Sequence, residues 1–154
     1  MNTQEVQDFE AKLLEMQNTC LCYNVRKAAR LVTQFYDTVM EPSGLLGTQF
    51  VLLRAIGRAG AATLTRLSQA IGMDRTTLTR NLRPLERQGF VEMDAGLDRR
   101  THIVRLTEQG RQAMAAALPF WGQAQTALVS RFGQERSAAL LNELRALEAE
   151  IQPA

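Results

Sequence analysis

The fold is decided by the stretch GMDRTTLTRNLRPLERQG, residues 72–89. Its three leucines, Leu78, Leu82 and Leu85, recur at spacings of four and three residues, which places them on one side of a helix facing a core. Asp74 stands where an N-cap residue is preferred, and Gly89 stands where helices commonly end. The stretch therefore predicts a short amphipathic helix that is bounded at both ends.

The other side of this helix is basic and carries small hydroxyl groups. It contains one acid, Glu86, among Arg75, Thr76, Thr77, Thr79, Arg80, Arg83 and Arg87. A narrow helix with this surface suits a DNA major groove, where its N-terminal residues can reach base edges while arginines hold phosphates. A solvated surface helix of any small domain would show the same pattern, so this helix alone leaves both interpretations open.

The segments on either side indicate a winged helix-turn-helix. Residues 63–71 predict a preceding helix, which the turn Gly72-Met73 joins to the basic helix, and residues 50–56 predict a helix before that. Residues 90–93 alternate with the period of a strand, residues 94–100 form a polar loop, and residues 102–106 predict a second strand. This hairpin, the wing, should lie against the DNA backbone or an adjacent minor groove.

Both ends of the chain are predicted to be helical. The pattern from about Gln4 to Met40 lacks proline and glycine and predicts one helix of some 30 residues, and residues 108–132 and 140–151 predict two more. The fold class is therefore mainly α with a small β-hairpin wing. We expect residues 1–44 and 107–154 to form a helical dimerisation region around a winged DNA-binding domain at 45–106, although a monomeric bundle would give the same periodicity.

Charge is concentrated in the middle of the chain. The whole chain has a net charge of +2, but residues 54–105 contain ten arginines and five acids, a net of +5, which leaves −3 for the rest. A basic central module between more neutral flanks is typical of a nucleic-acid-binding protein. Because only Lys12 and Lys27 are lysines, the basic surface consists almost wholly of arginine, which can fork onto guanine or phosphate.

Several other classes of protein have little support in the sequence. No apolar run is long enough for a membrane span, and the N-terminus does not resemble a signal peptide, so we expect a cytoplasmic protein without a membrane partner. Cys20 and Cys22 are too close along a helix to pair, and with His102 as the single histidine they do not complete a metal site. No catalytic constellation or phosphate-binding loop is present, so we expect neither an enzyme nor a cofactor.

The residues resemble the MarR family of bacterial transcriptional regulators. The resemblance is carried by residues 72–91, by Asp98-Arg-Arg100 and by Leu106-Thr-Glu-Gln-Gly110, and residues 44–50 and 22–36 are similar to the family's earlier helices. It implies a homodimer with two winged domains that binds a pseudo-palindromic operator in double-stranded DNA. It also implies a repressor that is released by a small phenolic or lipophilic effector or by cysteine oxidation.

The resemblance and the helix pattern together assign candidate DNA contacts. In the basic helix the first candidates for bases and nearby phosphates are Arg75, Thr76, Thr77 and Arg80, followed by Thr79 and Arg83, whereas Arg87 suits a phosphate or the surface. In the wing, Arg100 aligns with the family's DNA-contacting arginine and Asp98 with the acid that holds the arginine or the loop. Arg99 could contact DNA or solvent.

The sensing function has two interpretations, and Cys20 and Cys22 could also be buried structural residues or line the ligand crevice. Cys22 and Tyr36 match a peroxide-sensing branch of the family, in which a reactive cysteine bonds to tyrosines of the partner subunit, but Arg26 stands where that branch has a tyrosine. Alternatively, Phe35 and Tyr36, with Phe50 and Trp121, could line an effector pocket, although Phe50 and Trp121 could equally be core. A DNA-binding architectural protein without an effector is the third class considered.

Overall fold

A computed structural model describes residues 2–95 and 102–151 and divides the chain into two units, residues 1–35 and residues 36–154. The elements in chain order are helices α1 (Thr3–Thr19), α2 (Leu21–Met40) and α3 (Gly47–Ala59), strand β1 (Ala62–Thr63), helices α4 (Leu64–Ile71) and α5 (Arg75–Arg87), strands β2 (Val91–Ala95) and β3 (His102–Leu106), and helices α6 (Glu108–Phe132) and α7 (Gln134–Ile151). A short 3-10 turn, Glu41–Ser43, connects α2 to α3. No helix among the described residues is long and apolar enough to cross a membrane.

The first unit corrects the expectation of one uninterrupted N-terminal helix. The helix breaks at Cys20, whose backbone is extended at ψ 108°, and a new helix begins at Leu21. The Asn24 amide donates to the carbonyls of Gln17 and Cys20 at 3.0 and 2.9 Å, so two backbone acceptors at the break are satisfied by a side chain. A break of this kind carries no glycine or proline, and the spacing of apolar residues therefore does not reveal it.

The second unit packs three helices against a small sheet. The strand order is β1-β3-β2, both pairs are antiparallel, and Val104 of the central strand lies opposite Ala62 on one side and Met93 on the other. The sequence predicted the hairpin, with its first strand at 90–93 rather than 91–95, but not β1, which has only two residues. The largest fully buried side chains come from α2, α3, α4, α5 and β3: Met40, Leu53, Ile56, Leu67, Leu78, Leu82, Leu85 and Val104.

The start of α3 is fixed by a carboxylate from α2. Gly47 donates its backbone N–H to Asp37 Oδ1 at 2.6 Å, and a Cβ at Gly47 would lie 3.2 Å from that oxygen. A negative charge at this position interacts favourably with the positive end of the helix dipole and satisfies one of its free N–H groups. This contact holds the end of α2 against the first helix of the winged domain.

Candidate nucleic-acid interface

Helix α5 begins at a tight turn after α4. Gly72 ends α4 in the left-handed conformation at φ +69°, which a residue with a side chain rarely adopts, and the N–H of Met73 donates to the Ser68 carbonyl at 2.9 Å. Asp74 then caps α5, because its Oδ1 accepts from the N–H of Thr77 at 2.8 Å. The turn and the cap together set the direction in which α5 leaves α4, as in a helix-turn-helix.

The cap also changes the acidity of its own residue. Hydrogen bonds from the side chain and the backbone of Thr77 lower the pKa of Asp74 below its ordinary value of 3.8. Its carboxylate is therefore charged at neutral pH, at the helix end where a negative charge is favourable.

The leucine side of α5 holds the helix to the domain as the sequence predicted. Leu78, Leu82 and Leu85 are completely buried, each at 0 % exposure. At the other end, Gln88 donates its N–H to the Pro84 carbonyl and Phe90 donates to the Leu85 carbonyl, so the helix stops and the chain turns into β2.

The opposite side of α5 forms one exposed basic stripe, defined by Thr76, Arg80, Arg83 and Arg87. These residues follow one another at spacings of four, three and four, which places them on one line along a helix of 3.6 residues per turn. The stripe carries three positive charges and lies opposite the buried leucines. On such a surface, the three arginines and the threonine hydroxyl can contact the same ligand from one side of the helix.

The other predicted contacts of α5 lie at the sides of this stripe. Arg75 is exposed at the N-terminal end, whereas Thr77 and Thr79 are half-buried. The Thr79 hydroxyl already donates to the Arg75 carbonyl at 2.8 Å. The structure therefore separates the predicted set into an exposed stripe and flanking residues with internal hydrogen bonds.

The structure describes the two strands of the wing, β2 and β3. Arg105 of β3 forms an ion pair with Asp94 of β2, with 2.9 Å between Nη1 and Oδ2, and both side chains are about half exposed. Asp98, Arg99 and Arg100, the predicted wing contacts, lie outside the described residues.

A junction between the wing and α6 explains the motif Leu106-Thr-Glu-Gln-Gly110. The Thr107 hydroxyl donates to the Gly89 carbonyl at 2.6 Å and accepts from the N–H of Gly110 at 3.0 Å, while the N–H of Thr107 donates to the Phe90 carbonyl. Any Cβ at Gly110 would lie 2.1 Å from the Phe90 carbonyl oxygen, so only glycine fits. The sequence indicates this motif through the family resemblance alone, because the contact joins positions twenty residues apart.

The predicted sensing residues fall in both units. In the first unit, Cys22 is exposed and unpaired on α2, and Phe35 is half-buried. In the second unit, Tyr36 is half-buried, burial raises its pKa above the ordinary value of 10.0, and its hydroxyl donates to Gln125 Oε1. No group of three His, Cys, Asp or Glu side chains in the described part of the chain could hold a metal ion.

The two aromatic residues left open by the sequence have different environments. Phe50 is buried in the core and stacks on Trp121 of α6, with 6.3 Å between ring centroids and an interplanar angle of 21°. Trp121 itself is 37 % exposed. Phe50 is thus core, and Trp121 covers it from outside.

Comparison with known proteins decides the family. The MarR family model matches residues 47–101, the segment that holds α3, α4, α5 and the first strand of the wing, β2. The crystal structure of the Mycobacterium tuberculosis transcriptional regulator MosR in complex with DNA is 38 % identical, with 86 % of this chain and 99 % of that chain covered and a TM-score of 0.73. The chain belongs to the MarR family. MarR-family membership makes it a DNA-binding transcriptional regulator, and its structural neighbours are regulators rather than enzymes.

Other members of the MarR-type fold support the architecture. The structure of the transcriptional repressor CouR bound to a 23-mer DNA duplex is 24 % identical, covers 86 % of this chain and 95 % of that chain, and has a TM-score of 0.76, which shows the fold. An uncharacterized HTH-type transcriptional regulator of Bacillus subtilis, YwoH, is 27 % identical over 95 residues, or 62 % of this chain and 69 % of YwoH. The similarity is therefore centred on the winged domain and extends into the flanking helices.

Proposed function

We propose that this chain is a homodimeric repressor that binds a pseudo-palindromic operator through α5 and the wing and is released by a small lipophilic or phenolic effector. The observation that carries the proposal is the exposed stripe Thr76, Arg80, Arg83 and Arg87, opposite the buried leucines of α5. The structures of MosR and CouR with DNA support double-stranded DNA as the partner.

The N-terminal part of the stripe is suited to contacts with bases, and its C-terminal part is suited to contacts with phosphates. Thr76 and Arg80 lie in the first two turns of α5, the part of a recognition helix that contacts base edges, together with Arg75 and Thr77 beside them. Arg83 and Arg87 lie further along and suit phosphates. The Thr79 hydroxyl donates its proton to the Arg75 carbonyl, so toward DNA it can act only as an acceptor, and its methyl group is available for apolar contact.

The experiment measures operator affinity and its salt dependence for the purified protein. Operator DNA is first selected from a random pool, and binding is followed by fluorescence anisotropy from 50 to 200 mM salt. We expect Arg80→Ala to weaken operator binding about 10- to 100-fold and to relax the preference at one base pair, because a base contact is lost. We expect Arg83→Ala to weaken all duplexes alike and to reduce the salt slope by about one unit.

Arg145→Ala provides the matched control, since Arg145 is an exposed arginine of α7 that bonds to Asn142, and light scattering verifies that this variant keeps the mass of the unaltered protein. It should leave both affinity and slope unchanged. If Arg80→Ala and Arg83→Ala bind the selected operator as the unaltered protein does, α5 is not the recognition helix.

The wing contact remains a prediction that the same assay tests. Arg100→Ala should weaken operator binding and flatten the salt slope by roughly one unit, because one phosphate or minor-groove contact is lost. Asp98→Ala should have a smaller effect in the same direction if this acid holds the wing arginine. Unchanged affinity and slope for Arg100→Ala would remove the wing from the interface.

The proposed domain arrangement places dimerisation in residues 1–44 and 107–154. Its support lies in the apolar side chains that α1 and α7 leave exposed, among them Phe9, Leu13, Leu140 and Leu141. Large apolar side chains that recur exposed along a helix are typical of a subunit interface. Phe35 and Tyr36 are the candidate residues for contact with the effector, and the part-buried Tyr36 hydroxyl, which donates to Gln125 Oε1, gives Tyr36 a polar group for this role.

Redox sensing through Cys22 is the second candidate, favoured by the exposure of its thiol. An accessible thiol can be oxidised, whereas a buried one is inert. Thiol titration and operator binding are measured before and after hydroperoxide treatment, with Cys22→Ser and Cys20→Ser compared. Loss of operator binding that Cys22→Ser alone prevents would support this candidate, and oxidation without any loss would exclude it.

A further inference from the structure

An exposed arginine and an exposed threonine in the first two turns of α5 are free to contact bases. The Arg80 guanidinium forms no ion pair with any described residue, although arginines elsewhere in the chain do. The Thr76 hydroxyl likewise has no hydrogen-bond partner in the part of the chain that the structure describes. Neither side chain has to give up an internal contact before it meets DNA.

The other two threonines of these turns are already engaged. The Thr77 side chain donates to the Asp74 carboxylate, and the Thr79 hydroxyl donates to the Arg75 carbonyl at 2.8 Å. Both threonines are half-buried, whereas Thr76 is exposed. Thr76 is therefore the threonine of α5 that is best placed for a base contact.

The stripe lacks the side chains that pair with adenine or cytosine. Side-chain amides pair with adenine and carboxylates pair with cytosine, and Thr76, Arg80, Arg83 and Arg87 provide neither group. Asn81, the amide of the first two turns, lies about 100° around the helix from Arg80. Its Nδ2 donates to Met73 Sδ at 3.6 Å, away from the stripe. The stripe instead has the fork that suits the two acceptors of guanine and a methyl group that suits thymine.

The spacing of Thr76 and Arg80 sets the distance between the two bases. Four positions on α5 separate the residues, which corresponds to about 6 Å along the helix axis. Neighbouring bases of one strand are about 3.4 Å apart. A helix that lies along the major groove therefore brings the two side chains to bases within about two base pairs of each other.

We propose that in each operator half-site Arg80 contacts a guanine and Thr76 contacts the methyl group of a thymine within about two base pairs of it. This inference rests on the proposed function and adds to it the bases that α5 selects. The Arg80 guanidinium would donate two hydrogen bonds, to O6 and N7 of the guanine. The Thr76 methyl group would pack on the C5-methyl group of the thymine.

The guanine contact is tested by removing one acceptor atom from the DNA. Each guanine of the selected operator is replaced in turn by 7-deazaguanine, which keeps base pairing but has a C–H group in place of N7. One replacement should weaken binding of the unaltered protein about fivefold or more, and it should not weaken binding of Arg80→Ala further, because the partner of N7 is already missing. Arg83→Ala is the matched control and should keep the full sensitivity to this replacement.

The thymine contact is tested by removing one methyl group. Replacing the thymine with deoxyuridine should weaken binding of the unaltered protein about threefold, since one buried methyl group is lost. Thr76→Ser lacks the methyl group of the side chain and should bind both duplexes equally. Thr76→Val keeps a methyl group and should remain sensitive to the replacement.

The outcomes separate this inference from the proposed function. If Arg80→Ala weakens operator binding but responds to every 7-deazaguanine as the unaltered protein does, Arg80 contacts a phosphate, and the guanine assignment is overturned while the operator function stands. Equal sensitivity of Thr76→Ser and the unaltered protein to deoxyuridine overturns the thymine assignment in the same way. If the random pool yields no duplex that is preferred over unselected DNA, the proposed function fails and the base assignments fail with it.

Discussion

The absence of a Cβ at Gly110 allows the first turn of α6 to pack directly on the Phe90 carbonyl. Replacing it with alanine would put a Cβ 2.1 Å from the Phe90 carbonyl oxygen and 2.9 Å from Leu106 Cδ1. Because a backbone atom cannot move aside as a flexible side chain can, we expect Gly110→Ala to lower the free energy of unfolding by about 3 kcal/mol. Urea unfolding followed by circular dichroism measures the change.

Gly122→Ala is the matched control in the same helix. A Cβ at Gly122 meets no atom within 4 Å, so alanine should stabilise the protein by roughly 0.5–1 kcal/mol through its higher helix propensity. Equal effects of the two substitutions would contradict the steric explanation.

Asp74 is expected to make stability depend on pH. Its pKa is lower in the folded chain than its ordinary value of 3.8, so the contribution of the charged cap is fully present above that value and is lost as the pH falls through the lower, folded pKa. We expect Asp74→Ala to unfold at a lower temperature than the unaltered protein at pH 7, and the difference between the two to shrink toward pH 3. A difference in melting temperature that stays constant over this range would show that the charge of Asp74 contributes nothing.

At the scale of elements, Thr107 connects α5, β2 and α6. Its hydroxyl donates to the Gly89 carbonyl and caps the N–H of Gly110, so Thr107→Val should cost about 1–3 kcal/mol of unfolding free energy by leaving both groups without their partner. Thr107→Ser keeps the hydroxyl and should restore most of that loss. Chemical denaturation of the two variants distinguishes the hydrogen bonds from packing of the methyl group.

Elements with strong local signals were predictable from the sequence, and contacts between distant residues were not. Asp74, the three leucines and Gly89 lie within one stretch, and together they predicted α5 and its buried side. The register of apolar residues likewise predicted α6 from Glu108 to Phe132. By contrast, the break at Cys20 depends on the side chain of Asn24, and β1 depends on pairing with β3 some forty residues later.

The candidate site divides in the same way. Periodicity placed Arg80 and Arg83 on the exposed face of α5. It could not show that the Thr79 hydroxyl donates a hydrogen bond to the Arg75 carbonyl.

At the scale of the whole molecule, the apolar stripe of α1 is expected to hold two chains together. Phe9, Leu13 and Met16 recur at spacings of four and three residues and are 55, 48 and 56 % exposed. We expect Phe9→Glu together with Leu13→Glu to shift the protein from dimer to monomer at micromolar concentration, because charges replace buried apolar area at the interface. Light scattering coupled to size exclusion gives the mass directly.

Leu14→Glu is the control for this surface. Leu14 is 63 % exposed on the same helix but lies off the stripe, so its replacement should leave the mass unchanged. If the unaltered protein has the mass of a monomer, the apolar stripe of α1 does not form a subunit interface and packs within one chain.

The contact of Gly110 with the Phe90 carbonyl has a mechanical consequence. Since the first turn of α6 packs on the Phe90 carbonyl, directly before β2, we expect a tilt of α6 at this turn to move the wing with it. A helix of 25 residues is about 37 Å long, so it acts as a lever, and a tilt of about 5° displaces its far end by roughly 3 Å. In the proposed dimer, the α6 helices of the two subunits would set the distance between the recognition helices. That distance must match half-sites about 34 Å apart. A shift of a few ångströms at the far end of α6 would thus be enough to change the distance between the recognition helices so that one of them no longer fits its half-site.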